Sequence, residues 1–212
     1  MSSFGVIRRL RRALSIKKMG HAGTLDPMAT GLLIVLVGRP ATRLQDRFMG
    51  LPKRYTGTVT LGVVTDSFDA EGTVIANTNV DVSDADVERE RQAFLGAIEQ
   101  VPPAFSAIKV GGERLYKKAR RGEDVEVPKR VVQIDRFDVT ARRGDDLDVL
   151  VDCSKGTYIR SLAHDLGAAL GPGGHLSALR RERIGPYDVA DAFDLDVLAP
   201  FVPGPQRPAA GG

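Results

Sequence analysis

The run GHAGTLDPMATG, residues 20–31, restricts folding more than any other part of this 212-residue chain. Its glycines can take positive φ, and Pro27 fixes its own φ while limiting that of Asp26 before it. Such a segment holds the backbone in a tight, exposed turn from which one acid projects. That acid, Asp26, is the only carboxylate between Met1 and Pro40, in a stretch dense with Arg and Lys. Two chemistries fit it. Asp26 can cap a helix that begins at Pro27, since Asp at the cap and Pro at the first helical position is a favoured pair. It can equally serve as a nucleophile or acid–base group kept ionised by the surrounding cations.

The cations also say something about partners. The formal net charge is only +3, yet the basic residues are clustered: Arg8, Arg9, Arg11, Arg12, Lys17 and Lys18, then Lys117, Lys118, Arg120 and Arg121, then Arg180, Arg181 and Arg183. One such cluster is an ordinary solvated face; three together favour a polyanion held through its phosphates. Cys153 is the single cysteine, so no intrachain disulfide can form, which fits a reducing cytoplasm. No Cys/His set has zinc spacing. No run approaches the roughly 18 apolar residues needed to span a membrane, and the basic N-terminus lacks a following apolar signal segment.

Periodicity predicts a mixture of elements. Phe4, Val6, Ile7, Leu10 and Leu14 recur at helical spacing behind a cap at Ser2 or Ser3. Residues 32–37 read as a buried strand and 55–61 as a second. Ser83, with Asp86 as a capping-box partner, opens a helix expected to reach Gln100. A short helix is expected over 113–121, a hairpin over 131–153 around Arg143-Gly144-Asp145, and two helices over 158–170 and 176–183. Strands and helices mix without a regular βαβ rhythm, so the fold class is α+β rather than doubly wound α/β. The chain has no internal repeat, dinucleotide fingerprint, phosphate loop or Ser/His/Asp arrangement. Residues 1–199 read as one domain, and the Pro/Gly/Ala-rich stretch 200–212 as a disordered tail.

Six blocks in order carry a family resemblance: GHAGTLDPMATG, KRYTGTVTLG (53–62), TDSFDAEG (65–72), QVPPAFSAIKVGGERLYKKARRGE (100–123), CSKGTYIRSLAHDLG (153–167) and GGHLSALRRERIGPY (173–187). Together they resemble the bacterial tRNA pseudouridine synthase B (TruB) family over nearly the whole chain. The resemblance implies a pseudouridine synthase fold, a mixed and mainly antiparallel sheet flanked by helices. It implies isomerisation of the T-loop uridine, position 55 in tRNA numbering, after that base is flipped from the stack. The N1–C1′ bond breaks, the base turns and C5 rejoins the sugar. No redox change or phosphoryl transfer occurs, so neither cofactor nor metal is expected.

By the same resemblance Asp26 is the nucleophile, Arg160 pairs with it, and Tyr55 stacks on the flipped base and can move the C5 proton. Tyr158 walls the pocket or supports Arg160, His21 helps hold the flipped-out RNA, and Leu179 packs near the base. Asp66 and Asp69 pair with basic residues, contact RNA or serve as turn acids; all three roles are open. The expected partner is the T-arm of tRNA, met in the cytoplasm by a monomer. The chain departs from the family pattern in starting near the end of a DKPxGxTS-like segment, without the preceding strand, and in lacking a PUA-like domain after Leu198. An in-frame upstream extension encoding that segment is expected. A non-catalytic tRNA-binding or tRNA-folding role, and a pseudouridine synthase with another RNA target, are the alternatives.

Overall fold

A computed structural model describes residues 1–103, 109–110, 112–114, 121 and 127–198. In chain order they form α1 (Ser3–Leu14), β1 (Met19–Ala22), β2 (Thr30–Gly31), β3 (Ile34–Val37), α2 (Gly38–Thr42), α3 (Gln45–Met49), β4 (Lys53–Leu61), β5 (Val63–Thr65), β6 (Val74–Asn77) and α4 (Asp84–Gln92). There follow β7 (Gly96–Gln100), β8 (Lys109–Val110), β9 (Glu113–Arg114), β10 (Arg130–Arg143), β11 (Asp146–Cys153), α5 (Ile159–Leu170), β12 (Gly174–Ile184), β13 (Tyr187–Asp188), a 3-10 turn (Val189–Asp191) and α6 (Leu195–Leu198). The chain divides into two compact units: Met1–Leu51 with Arg181–Gly212, and Pro52–Arg180.

In the first unit, α1 begins where Ser2 accepts a hydrogen bond from the Gly5 amide, the expected cap. Its apolar stripe buries Ile7 and Leu10 against Met19, with Val6, Leu14, Val35 and Leu195 packed around them. Phe4 shares the spacing but lies exposed. The helix is tied to the next strand by Arg11, whose Nη2 donates to the Met19 carbonyl at 2.8 Å. β1 and β3 form an antiparallel ladder from Met19↔Val37 to Ala22↔Ile34. The strand expected over 32–37 is thus the shorter Ile34–Val37, of which only Leu36 is buried. From α3, Gln45 Nε2 donates to the His21 carbonyl at 2.9 Å. β2 pairs with β12, and β13 folds back on the end of β12 through Arg183↔Asp188 and Ile184↔Tyr187.

The second unit is built on a sheet in the order β12-β4-β11-β10-β7. The hairpin of β10 and β11 turns at Gly144, φ 60°, as the sequence predicts. β11 pairs antiparallel with β4 from Cys153↔Lys53 to Asp146↔Thr60. In β11, Leu147, Val149, Val151 and Cys153 alternate into the core, where Val59, Leu61, Ile134, Phe137, Leu162 and Leu166 are also buried. The fold is α+β, with an antiparallel sheet flanked by helices.

Two expected helices differ. Ser83 and Asp86 make the capping box, but the helix ends at Gln92 rather than Gln100. Gly96 then takes φ 83° and the chain leaves as β7, pairing with β10; a glycine at positive φ is a frequent helix terminator. Residues 176–183 form part of β12 instead of a helix. Most of the helix expected over 113–121, and the tail 200–212, lie outside the described residues.

Candidate active site

No helix follows Asp26. The chain makes a reverse turn in which the Ala29 amide donates to the Asp26 carbonyl at 2.9 Å, with Pro27 and Met28 at its centre. Pro at the second position of such a turn is pre-set in φ. The helix-cap reading of Asp26 therefore fails, and the side chain stands half-buried at the head of the turn. Gly23, just upstream, takes φ 86° and redirects the chain as it leaves β1. Leu25, the residue before Asp26, donates its amide to the Ser3 hydroxyl at 2.9 Å.

His21 lies in the same unit, on β1. Its Nδ1 is buried with no hydrogen-bond partner among the described residues. Burial, and then the positive charge of Arg181, lower its pKa below the ordinary histidine value, so the ring is neutral near pH 7. A neutral imidazole suits contact with a base or sugar better than with a phosphate.

The second unit carries the other expected site residues. Arg160, in the first turn of α5, is only 4% exposed. Its Nη1 pairs with Asp69 Oδ2 at 3.2 Å and donates to the Ser67 carbonyl at 3.1 Å. Asp69, 3% exposed, is completed at Oδ1 by the Ser67 hydroxyl (2.6 Å) and the Glu71 amide (3.0 Å). A buried arginine of this kind is held in one orientation by acceptors it cannot leave without stranding a charge. Sequence reasoning left Asp69 among three roles; the structure gives it the basic partner. Asp66 accepts from the Thr73 amide at 2.9 Å, and Asp69 is a turn acid as well through the Glu71 amide.

Tyr158 occupies the position before α5. Buried Gln100 holds its backbone from both sides, donating to the Tyr158 carbonyl at 2.9 Å and accepting from its amide at 2.7 Å. The Arg130 guanidinium lies 5.2 Å from the ring centre, within cation–π range. Tyr55 is half-buried on β4 opposite Val151. It shares a strand face with Gly57. A Cβ on Gly57 would stand 3.6 Å from Leu179 Cδ1, so Leu179 of β12 packs over that face. Gln100 opens the block 100–123, yet it carries no charge and the sequence pattern assigns it no role.

Other chemistry finds no support here. Cys153 is buried, and burial pushes its thiol up to about 12, which rules out a thiolate nucleophile near neutrality. Among the described residues no group of His, Cys, Asp and Glu could hold a metal ion. No described helix is long and apolar enough to cross a membrane.

Comparisons with known proteins agree with this reading. Residues 11–159 match the model of the TruB family pseudouridylate synthase N-terminal domain, and 160–202 that of the tRNA pseudouridylate synthase B C-terminal domain. A tRNA pseudouridine synthase B of Nocardia farcinica is 51% identical over 204 residues, 94% of this chain and 66% of that protein. One from Mycobacterium tuberculosis is 47% identical over 218 residues, 99% of this chain and 70% of that protein. The chain thus spans about two thirds of the length of these curated relatives. Among solved structures, a chain of a Cbf5–Nop10–Gar1 complex superposes with a TM-score of 0.68 at 30% identity, over 89% of this chain and 46% of that one. An archaeal box H/ACA sRNP Nop10–Cbf5 complex gives 0.69 at 26% identity, over 95% and 50%. With a family model covering residues 11–159 and relatives at about half identity along almost its full length, this chain belongs to the TruB family of pseudouridylate synthases.

Proposed function

We propose that this chain is a tRNA pseudouridine synthase that isomerises the T-loop uridine, position 55, in the cytoplasm, with residues 1–199 as its catalytic domain. The observation that carries the reading is Asp26. It is a lone acid in a basic stretch, it heads a tight turn instead of capping a helix, and it lies in the segment matched to the family model. Relatives named tRNA pseudouridine synthase B supply the substrate class.

In this reading Asp26 is the carboxylate that opens the reaction on the flipped uridine. Tyr55 stacks on the base and serves the C5 proton, which leaves C5 as N1 regains one, so atoms balance without a cofactor. Arg160 supplies a fixed positive charge, held by Asp69 and the Ser67 carbonyl. Tyr158 and Leu179 wall the base, and neutral His21 supports the flipped-out RNA. Recognition of the T-arm rests on RNA shape and on phosphate contacts from the basic clusters, buried Arg181 excepted.

The test is tritium release from unmodified tRNA labelled at uridine C5, comparing the chain with Asp26→Ala. Release by the unaltered chain alone is expected, with tRNA affinity retained by the variant. Equal release by both would remove Asp26 from the chemistry. Binding without release by either would favour a non-catalytic tRNA-binding role.

A further inference from the structure

Arg181 is the largest of the fully buried side chains, at 1% exposure. Placing a guanidinium there is costly unless its donors are met. Two of its donors are met by the backbone of the segment that carries Asp26. Nε donates to the Leu32 carbonyl at 2.8 Å, and Nη2 to the Gly23 carbonyl at 3.1 Å. Those two carbonyls stand on either side of the Asp26 turn. The main chain of Arg181 grips the same segment, accepting from the Leu32 amide at 2.8 Å.

The glycines of the segment are shaped to this arginine. Gly31 takes φ 97°, and a Cβ there would stand 2.3 Å from the Arg181 carbonyl oxygen. Gly23 takes φ 86°, and its Cβ would lie 3.3 Å from Arg181 Nη1. Between the two anchors, Ser3, itself buried, adds a third. Its hydroxyl accepts from the Leu25 amide at 2.9 Å and faces the Leu25 carbonyl at 3.4 Å. The ten-residue excursion from Gly23 to Leu32 is therefore fastened at both ends and immediately before Asp26.

We propose that Arg181 and Ser3 are positioning residues for Asp26, which fasten the turn so that its carboxylate is presented in one place; this rests on reading Asp26 as the nucleophile. The rigid fork of arginine suits the task, because two donors on one plane set the separation of the two carbonyls they hold. Lysine keeps the charge but offers donors on one rotatable nitrogen, so it cannot reproduce that spacing. Small misplacements of a reacting group cost large factors in rate, about 100-fold for about 1 Å.

The experiment measures single-turnover tritium release at saturating enzyme, and tRNA affinity separately, for Arg181→Lys, Ser3→Ala, Ser3→Thr and Asp26→Ala. Arg181→Lys is expected to slow the single-turnover rate about 10- to 100-fold and Ser3→Ala about tenfold, with tRNA dissociation constants within about twofold. Ser3→Thr, which restores the hydroxyl, recovers most of the rate. Should Arg181→Lys fail to fold, the Ser3 pair decides alone. A wild-type rate in Ser3→Ala overturns the proposal, and so does a parallel loss of rate, affinity and thermal stability, which marks general unfolding. If Asp26→Ala itself turns over normally, the nucleophile reading falls and the clamp with it. If Asp26→Ala is dead while both Arg181→Lys and Ser3→Ala run at full rate, only the clamp falls.

Discussion

Asp69 shows how one residue's meaning depends on what faces it. It is ion-paired with Arg160 in a region where both are almost fully buried. Removing the acid takes away the carboxylate paired with the buried guanidinium, and breaking such a pair costs about 3–5 kcal/mol. Asp69→Asn is expected to lower unfolding stability by about 3 kcal/mol in urea titration, with part of the loss recovered in Asp69→Asn combined with Arg160→Met. A change below about 1 kcal/mol would mean that the pair is dispensable to the fold. In the sequence, Asp69 is one of two aspartates in TDSFDAEG with equal claims as a turn residue. Nothing local separates them, because the partner stands 91 positions away.

At the scale of elements, glycine contacts mark where backbones meet. Gly167 of α5 lies against the Gly173–Gly174 backbone, where a Cβ would come within 2.4 Å of the Gly174 nitrogen. Gly167→Ala must push helix from strand, and overpacking of this kind costs about 1–3 kcal/mol. The expected readout is a lower urea midpoint with an unchanged m-value; an unaltered midpoint would show that the helix can shift freely. Element identity was legible where pattern and environment agree. The β10–β11 hairpin, the capped start of α4 and the span of α5 all follow from alternation, cap residues and 3.6-residue spacing. β12 did not follow, because one of its inward residues is Arg181. A buried arginine hides the strand alternation of Leu179 and Arg181 and leaves Leu176 and Leu179 reading as a helix face. The helix expected over 83–100 stops at Gln92 because Gly96, at φ 83°, turns the chain into β7 despite the apolar residues around it.

For the whole molecule, pH acts through two half-buried histidines. His21 in one unit and His164 in the other are both held below the usual histidine value, chiefly by burial. His164 stacks on Phe68 with ring centres 3.8 Å apart. The unfolded chain takes up protons near the ordinary value of about 6.5 while the native state resists. Stability from these groups is thus complete above that pH and is lost as pH falls through the depressed native values. Asp165, whose carboxyl burial pushes up, acts in the opposite sense further into acid. Urea midpoints should fall between pH 7 and pH 5, and more shallowly in His164→Asn; an identical slope in the variant would exclude His164 as a source.

The sequence by itself determined the family, the α+β class and the glycine- and proline-restricted segment that carries Asp26. These rest on local order: glycine and proline dihedral limits, period-2 and period-3.6 patterns, and motif blocks in fixed succession. Only the tertiary structure decided that Asp26 heads a turn rather than a helix, that Arg160 pairs with Asp69, and that Arg181 is a buried clamp and not one more surface cation. For Arg160 and Arg181 the deciding interaction joins residues far apart in the chain, and burial turns a polar side chain from a solvated group into one that must be satisfied where it stands.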